Sequence, residues 1–143
     1  MSTAVSVSES ATRPSKGLHI ALWVLQVLIG LSFMAAGGMK AFTPAADLMK
    51  AMPWVENVGI ALPRFIGISE LAGGLGLILP AATRIKPGLT PLAAAGLTVV
   101  MVLAVFFHIS RGEYPMLGAP VVLGGLCAFI AWGRSRKAPI PPR

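Results

Sequence analysis

The sequence predicts an all-α, membrane-embedded four-helix bundle with both termini on the cytoplasmic side. Four long apolar runs, the absence of period-two alternation within them, and an uneven distribution of cations between them carry this reading. Hydrophobic residues make up 55% of the chain and charged residues 12%, and the mean hydropathy is +0.78. Soluble domains hold about 45–50% and about 25% respectively.

Uncharged stretches cover 17–39, 87–110 and 114–133, and a fourth, 65–83, is broken only by Glu70. About 20 residues rising ~1.5 Å each cross a hydrocarbon core of about 30 Å. The expected spans are therefore 18–39, 64–82, 88–109 and 116–133, in one domain over 17–133. Lipid offers the backbone no hydrogen-bond partners, so a span is a helix or a closed barrel, and barrel strands would alternate in polarity. Arg13 and Lys16 before the first run, and Ala35-Ala36-Gly37 near its end, imitate a secretory leader. The run is longer than the about 7–15 apolar residues of a leader, so an uncleaved helix is expected.

The positive-inside rule sets the orientation. Arg13, Lys16, Arg84, Lys86, Arg134, Arg136, Lys137 and Arg143 fall on one side, against Lys40, Lys50, Arg64 and Arg111 on the other. Both termini belong in the cytoplasm, and the protein in the cell (inner, cytoplasmic) membrane. The same cations explain the formal charge of +7 through attraction to anionic headgroups, without nucleic acid. Residues 1–16, rich in Ser and Thr, have too little apolar surface to fold. Residues 134–143 form a basic, Pro-rich cytoplasmic tail.

One connection, 41–63, is long and lies outside. Thr43-Pro44 suits an N-cap followed by proline at the first helical position, with Asp47 in the first turn. A short helix from Pro44 to about Met52 would end at Pro53 and lie on the membrane surface. Met49, Met52 and Trp54 would form a lid.

Glu70 is where function is sought, because a carboxyl group inside a span costs roughly 2.5–3.5 kcal/mol unless paired, hydrated or protonated. Pro63, Gly67, Glu70 and Gly74 recur at helical spacing, as do Gln26, Gly30, Phe33, Gly37 and Lys40 on span one. Small residues let helices approach closely, so Glu70 and Lys40 should both face the bundle. Lys40 ends span one, Arg64 begins span two, and His108 and Arg111 end span three, all at the outer boundary. Glu70 lies about 9 Å below Arg64 by helical rise. Ala94, Leu97, Met101, Ala104 and His108 share a face of span three, and Gly124 and Ala128 mark span four.

Other chemistries are excluded or weak. A single thiol, Cys127, cannot form an intramolecular disulfide. There is no haem-attachment pair, nucleotide-binding glycine loop or nucleophile elbow. Met39, Met49, Met52 and Met116 could all stand on the outer side, where thioethers suit Cu(I), but they suit packing better, and no metal is expected. His19, a turn into span one, reads as an interfacial side chain.

Residues Leu18 to Trp132 resemble the DoxX-like membrane protein family. The resemblance rests on Gly37-Gly38-Met39-Lys40, on Arg64-Phe65-Ile66-Gly67-Ile68-Ser69-Glu70-Leu71 followed by Gly73, Leu77 and Pro80, and on His108. It implies a four-helix integral membrane protein with Lys, Glu and His in these places. It also implies association with membrane redox systems, since named relatives include a small subunit of thiosulfate:quinone oxidoreductase and components of oxidant-defence assemblies.

The expected site is a polar pocket of Lys40, Glu70 and His108, with Arg64 and Arg111 setting the local potential. A quinone headgroup is the ligand it suits, because reduction needs proton donors near the carbonyl oxygens. Membrane oxidoreductase subunits and further copies of the chain are the expected partners. Three alternatives stay open: an ion pair of Glu70 with Lys40 or Arg64 that only fixes helix register, a small proton-coupled transporter, and a purely structural subunit.

Overall fold

The computed structural model describes residues 14–143, and every described element is helical. Helix α1 spans Lys16–Phe42, two short helices follow, α2 (Ala45–Ala51) and α3 (Val55–Val58), and the chain then runs back through α4 (Ala61–Thr83). Helix α5 covers Leu89–Ser110, and a 3₁₀ turn at Tyr114–Met116 leads into α6 (Gly118–Trp132), which a π-helical turn extends over Gly133–Lys137. Among the described residues, four segments are long and apolar enough to cross a membrane. The unstructured segment expected over 1–16 lies outside the described residues up to position 13. We call the end of the bundle carrying α2 and α3 the loop end, and the opposite end the terminal end.

Around the bundle the helices follow the order α1, α4, α5, α6. Helix α1 packs most extensively on α4, and α6 on α5, whereas α1 and α6 touch sparingly. Leu22, Ile29, Phe33, Leu77, Leu97, Met101 and Ile130 fill the centre. Large apolar side chains such as Ile20, Phe65, Leu92 and Leu103 stand outward, as lipid-facing surface requires.

The α1–α4 contact is built on glycine. A β-carbon on Gly37 would sit 2.6 Å from the Gly67 carbonyl oxygen, and one on Gly67 would sit 2.7 Å from the Gly37 oxygen. Gly30 and Gly74 repeat the contact deeper, where a β-carbon on Gly74 would lie 2.7 Å from the Gly30 oxygen. These two reciprocal approaches fix the antiparallel register.

Proline placement follows the same backbone logic. Pro63, Pro91 and Pro120 lie in first turns, where a missing amide hydrogen costs nothing. Pro80 is inside α4, so the carbonyl of Gly76 loses its intrahelical donor. The Thr90 hydroxyl donates to that carbonyl at 3.2 Å from α5.

Two loop expectations are refined. Pro44, not Thr43, occupies the cap position of α2. Beyond Met52 the chain adds a further short helix, α3, which ends at Gly59, whose φ of 82° suits glycine. The C-terminal residues fold back against the α4–α5 turn. Arg84, itself left-handed at φ 59°, donates from its side chain to the carbonyls of Pro141 and Pro142, and the Arg143 amide donates to the Arg84 carbonyl.

Candidate functional site

Lys40 and Glu70 meet because of the register and of the way helical side chains lean. Each lies one turn past a glycine of the contact pair, Gly37 for Lys40 and Gly67 for Glu70. Helix side chains tilt toward their own N-terminus, so Lys40 reaches inward from the loop end while Glu70 reaches outward. The Lys40 ammonium donates to both carboxylate oxygens, at 2.9 and 2.7 Å. The side chains are 15% and 4% exposed, so the acid is almost wholly enclosed and the cation slightly less so. A carboxylate that would be costly alone is thereby compensated.

Arg64, expected to set the local potential, is engaged with backbone carbonyls. Its guanidinium donates to the carbonyl of Lys40 at 2.8 Å and to that of Thr43. These are carbonyls at the C-terminus of α1, where the last turn lacks amide partners and the helix dipole favours a cation. Arg64 thus ties α4 to the end of α1 and leaves Glu70 to Lys40 alone. Arg111 is also committed, to Glu113 at 2.9 Å, with its guanidinium 5.5 Å from the centre of the Phe107 ring.

His108 is held by an acid the sequence reading left out. Its Nδ1 lies 2.7 Å from the second carboxylate oxygen of Glu113, in the turn between α5 and α6. With Nδ1 engaged, Nε2 is the nitrogen left for a ligand. Hydrogen bonds from His108 and then from Arg111 hold the Glu113 carboxyl below its ordinary 4.5. The signal available in the sequence was spacing: Glu113 is two residues past Arg111, at the start of a turn that Gly112 opens with φ 70°.

Lys40, Glu70 and His108 border one cavity of about 450 Å³ between α1, α4, α5 and α6. Its walls are otherwise apolar and partly aromatic, with Phe33, Phe65, Val100, Met101, Phe107 and Leu123 among them, and Ser32 and Ser69 add hydroxyls. No hydrogen bond joins His108 to the Lys40–Glu70 pair among the described residues. Trp54 also borders the cavity and packs edge-on against Phe107, ring centres 5.2 Å apart. Met49 and Met52 do not border it. Helix α2 buries Leu48 instead, so of the expected lid only Trp54 reaches the cavity. Among the described residues no group of three or more His, Cys, Asp or Glu side chains is gathered closely enough to hold a metal ion.

A second buried polar cluster sits at the terminal end. Arg134, read as a tail cation, is 2% exposed and turns inward. Its Nε bonds the Gln26 oxygen, and its Nη1 lies 3.0 Å from both His19 Nδ1 and the Ala138 carbonyl. Gln26 in turn donates to the Leu77 carbonyl at 2.8 Å. His19, half-buried a turn into α1, is therefore tied to the buried Arg134. The loop-end cavity does not reach this cluster, and Gly133 beside it lets Leu22 pack where a β-carbon would collide at 2.8 Å.

No curated protein and no solved structure matches the chain. The model of the DoxX-like family matches residues 24–130, a segment that holds the glycine contact pairs, Lys40, Glu70, His108 and Glu113. The chain belongs to the DoxX-like family.

Proposed function

We propose that the loop-end cavity receives a quinone headgroup and that the protein serves as an accessory, quinone-interacting subunit of a membrane redox system. In this reading the loop end faces away from the cytoplasm and the membrane is the cell membrane, as the cation distribution favours. The observation that carries the proposal is a bidentate Lys–Glu pair and an anchored histidine on one largely apolar cavity of about 450 Å³. Small-molecule sites are commonly about 300–1,000 Å³, mostly apolar, with a few convergent polar groups.

The chemistry follows from donors and acceptors. A quinone carbonyl oxygen accepts hydrogen bonds; the Lys40 ammonium can supply one, and His108, whose Nδ1–H is turned to Glu113, supplies another from Nε2 when its ring carries the second proton. Reduction to the quinol takes two electrons and two protons. The electrons come from a partner oxidoreductase, and protons pass through His108, with Glu113 fixing its tautomer, and through Glu70. Phe65 and Phe107 present ring faces and edges against which a quinone ring packs.

The Lys40–Glu70 pair, lying beside the Gly37–Gly67 contact, would serve equally as a register lock, so the test must separate the two roles. Glu70→Gln keeps the shape of the side chain and one acceptor oxygen but removes the proton-carrying carboxyl. If the cavity takes part in turnover, quinol-linked activity of the native assembly falls by about 10²-fold at normal abundance of the subunit. Unchanged turnover with normal abundance leaves the pair as a register lock only.

A further inference from the structure

The cavity is roofed toward water and open toward lipid. On the aqueous side the loop residue Trp54 borders it, closed edge-on against Phe107. On the flank between α4 and α5 the arrangement is the reverse. Leu62, Phe65 and Leu103 border the cavity and are 38%, 70% and 62% exposed, so each is both wall and outer surface. Phe65 is about 6 Å into α4 and Leu103 about 10 Å from the end of α5 by helical rise, depths at which the surroundings are acyl chains.

Packing explains why the fissure occurs at this height. Toward the terminal end α4 and α5 are in close contact, where β-carbons on Gly73 and Gly76 would collide with Leu97 and Ala93. Toward the loop end, bulky Phe65 and Leu103 replace such glycine contacts and the helices hold a gap.

We infer that the occupant enters sideways from the bilayer between α4 and α5, and that it is a two-part molecule: a compact polar head seated at Lys40, Glu70 and His108, and a long apolar tail left in the fissure beside Phe65 and Leu103. This rests on the quinone reading and narrows it to lipid-soluble, isoprenoid- or alkyl-tailed quinones. A charged, water-soluble substrate would have to displace the Trp54–Phe107 roof and gains nothing from the lipid-facing wall.

The test uses the full chain in lipid nanodiscs and two photoreactive probes, a benzoquinone with a decyl tail carrying its azide on the ring and the same molecule with the azide at the tail end. Labelled peptides are read by mass spectrometry, and only labelling removed by excess untagged decylquinone is counted. The expected result, with each label located to the residue by fragmentation, is ring label at or beside Lys40, Glu70 or His108, and tail label at or beside Phe65 or Leu103. Ring label in place with tail label on α2 and α3 overturns sideways entry and leaves the quinone reading standing. If excess quinone removes neither label, the quinone reading fails and this inference with it.

Discussion

The bundle buries a cation at each end and handles the two differently. At the loop end Lys40 is matched by an acid, Glu70, and the pair borders a cavity. At the terminal end Arg134 has only neutral acceptors, Gln26, His19 and a backbone carbonyl, and its Nη2 is buried without a partner. Trp23 supplies the rest, its ring centre 5.5 Å from the guanidinium carbon. A guanidinium spreads its charge over a planar fork and tolerates such a setting, whereas an ammonium is a compact charge that demands a counter-ion. The contrast separates two uses of buried polarity. Arg134, buried, ties α1, α6 and the C-terminal turn together, while Lys40 and Glu70 hold opposite charges on the wall of a cavity.

The strongest way to break this comparison is to neutralise each cation in turn. Lys40→Met leaves Glu70 enclosed and unmatched, and removing one member of a buried pair costs about 3–5 kcal/mol. Lys40→Met with Glu70→Leu removes both charges and should recover most of that loss. Arg134→Met strips donors from neutral acceptors and should cost only about 1–3 kcal/mol. Thermal unfolding of the purified variants in one detergent checks all three. Equal losses for Lys40→Met and Arg134→Met would mean that the acid at the loop end confers no special character on that end.

A smaller effect sharpens the geometry beneath the pair. Gly37→Ala places a methyl 2.6 Å from the Gly67 oxygen and 2.7 Å from the Leu71 nitrogen, both backbone atoms that cannot swing aside. The helices must separate locally, at about 1–3 kcal/mol, and the Lys40–Glu70 bond must stretch. Gly38→Ala is the control, since its nearest neighbour would be a Leu71 side-chain carbon at 4.0 Å, ordinary contact. Comparable unfolding temperatures for the two variants would remove glycine packing as the reason the pair forms.

What could be read from the chain follows from how local each cause is. The four spans and the inward stripe through Gly67, Glu70 and Gly74 depend on composition and helical period alone, and all four stripe positions from Pro63 to Gly74 are buried. The meeting of Lys40 with Glu70 was legible once both stripes were drawn. Arg64 was not, because whether a guanidinium finds a carboxylate or a helix end depends on register, which the reciprocal glycine contacts set between distant segments. Arg134 was counted as a tail charge, since counting cations outside the apolar runs ignores a long side chain that turns inward at a helix end. Gln26 carried the clue: an amide in mid-span needs a partner, and Arg134 and the Leu77 carbonyl are the ones it has. Glu113 was overlooked because it lies outside every span.

That acid gives the loop end the subtlest property of the comparison, a response to pH that the terminal end is not built to share at its surface. Glu113 accepts from His108 and Arg111 together, and its pKa is lowered below 4.5 by these bonds, the one from His108 first. A depressed carboxyl pKa contributes its stabilisation above the ordinary value and loses it as pH falls through the depressed one. Protonating the imidazole does not undo the clasp, since a charged ring still donates from Nδ1. Trp54, joined to His108 through Phe107, reports on it. In a Trp23→Phe, Trp132→Phe variant, emission should hold steady from neutral pH down to the ordinary carboxylate range and shift only below 4.5. Glu113→Gln should remove that acid step. A step centred at or above 4.5, or one that persists in Glu113→Gln, would mean that the carboxylate does not hold the histidine at the cavity mouth.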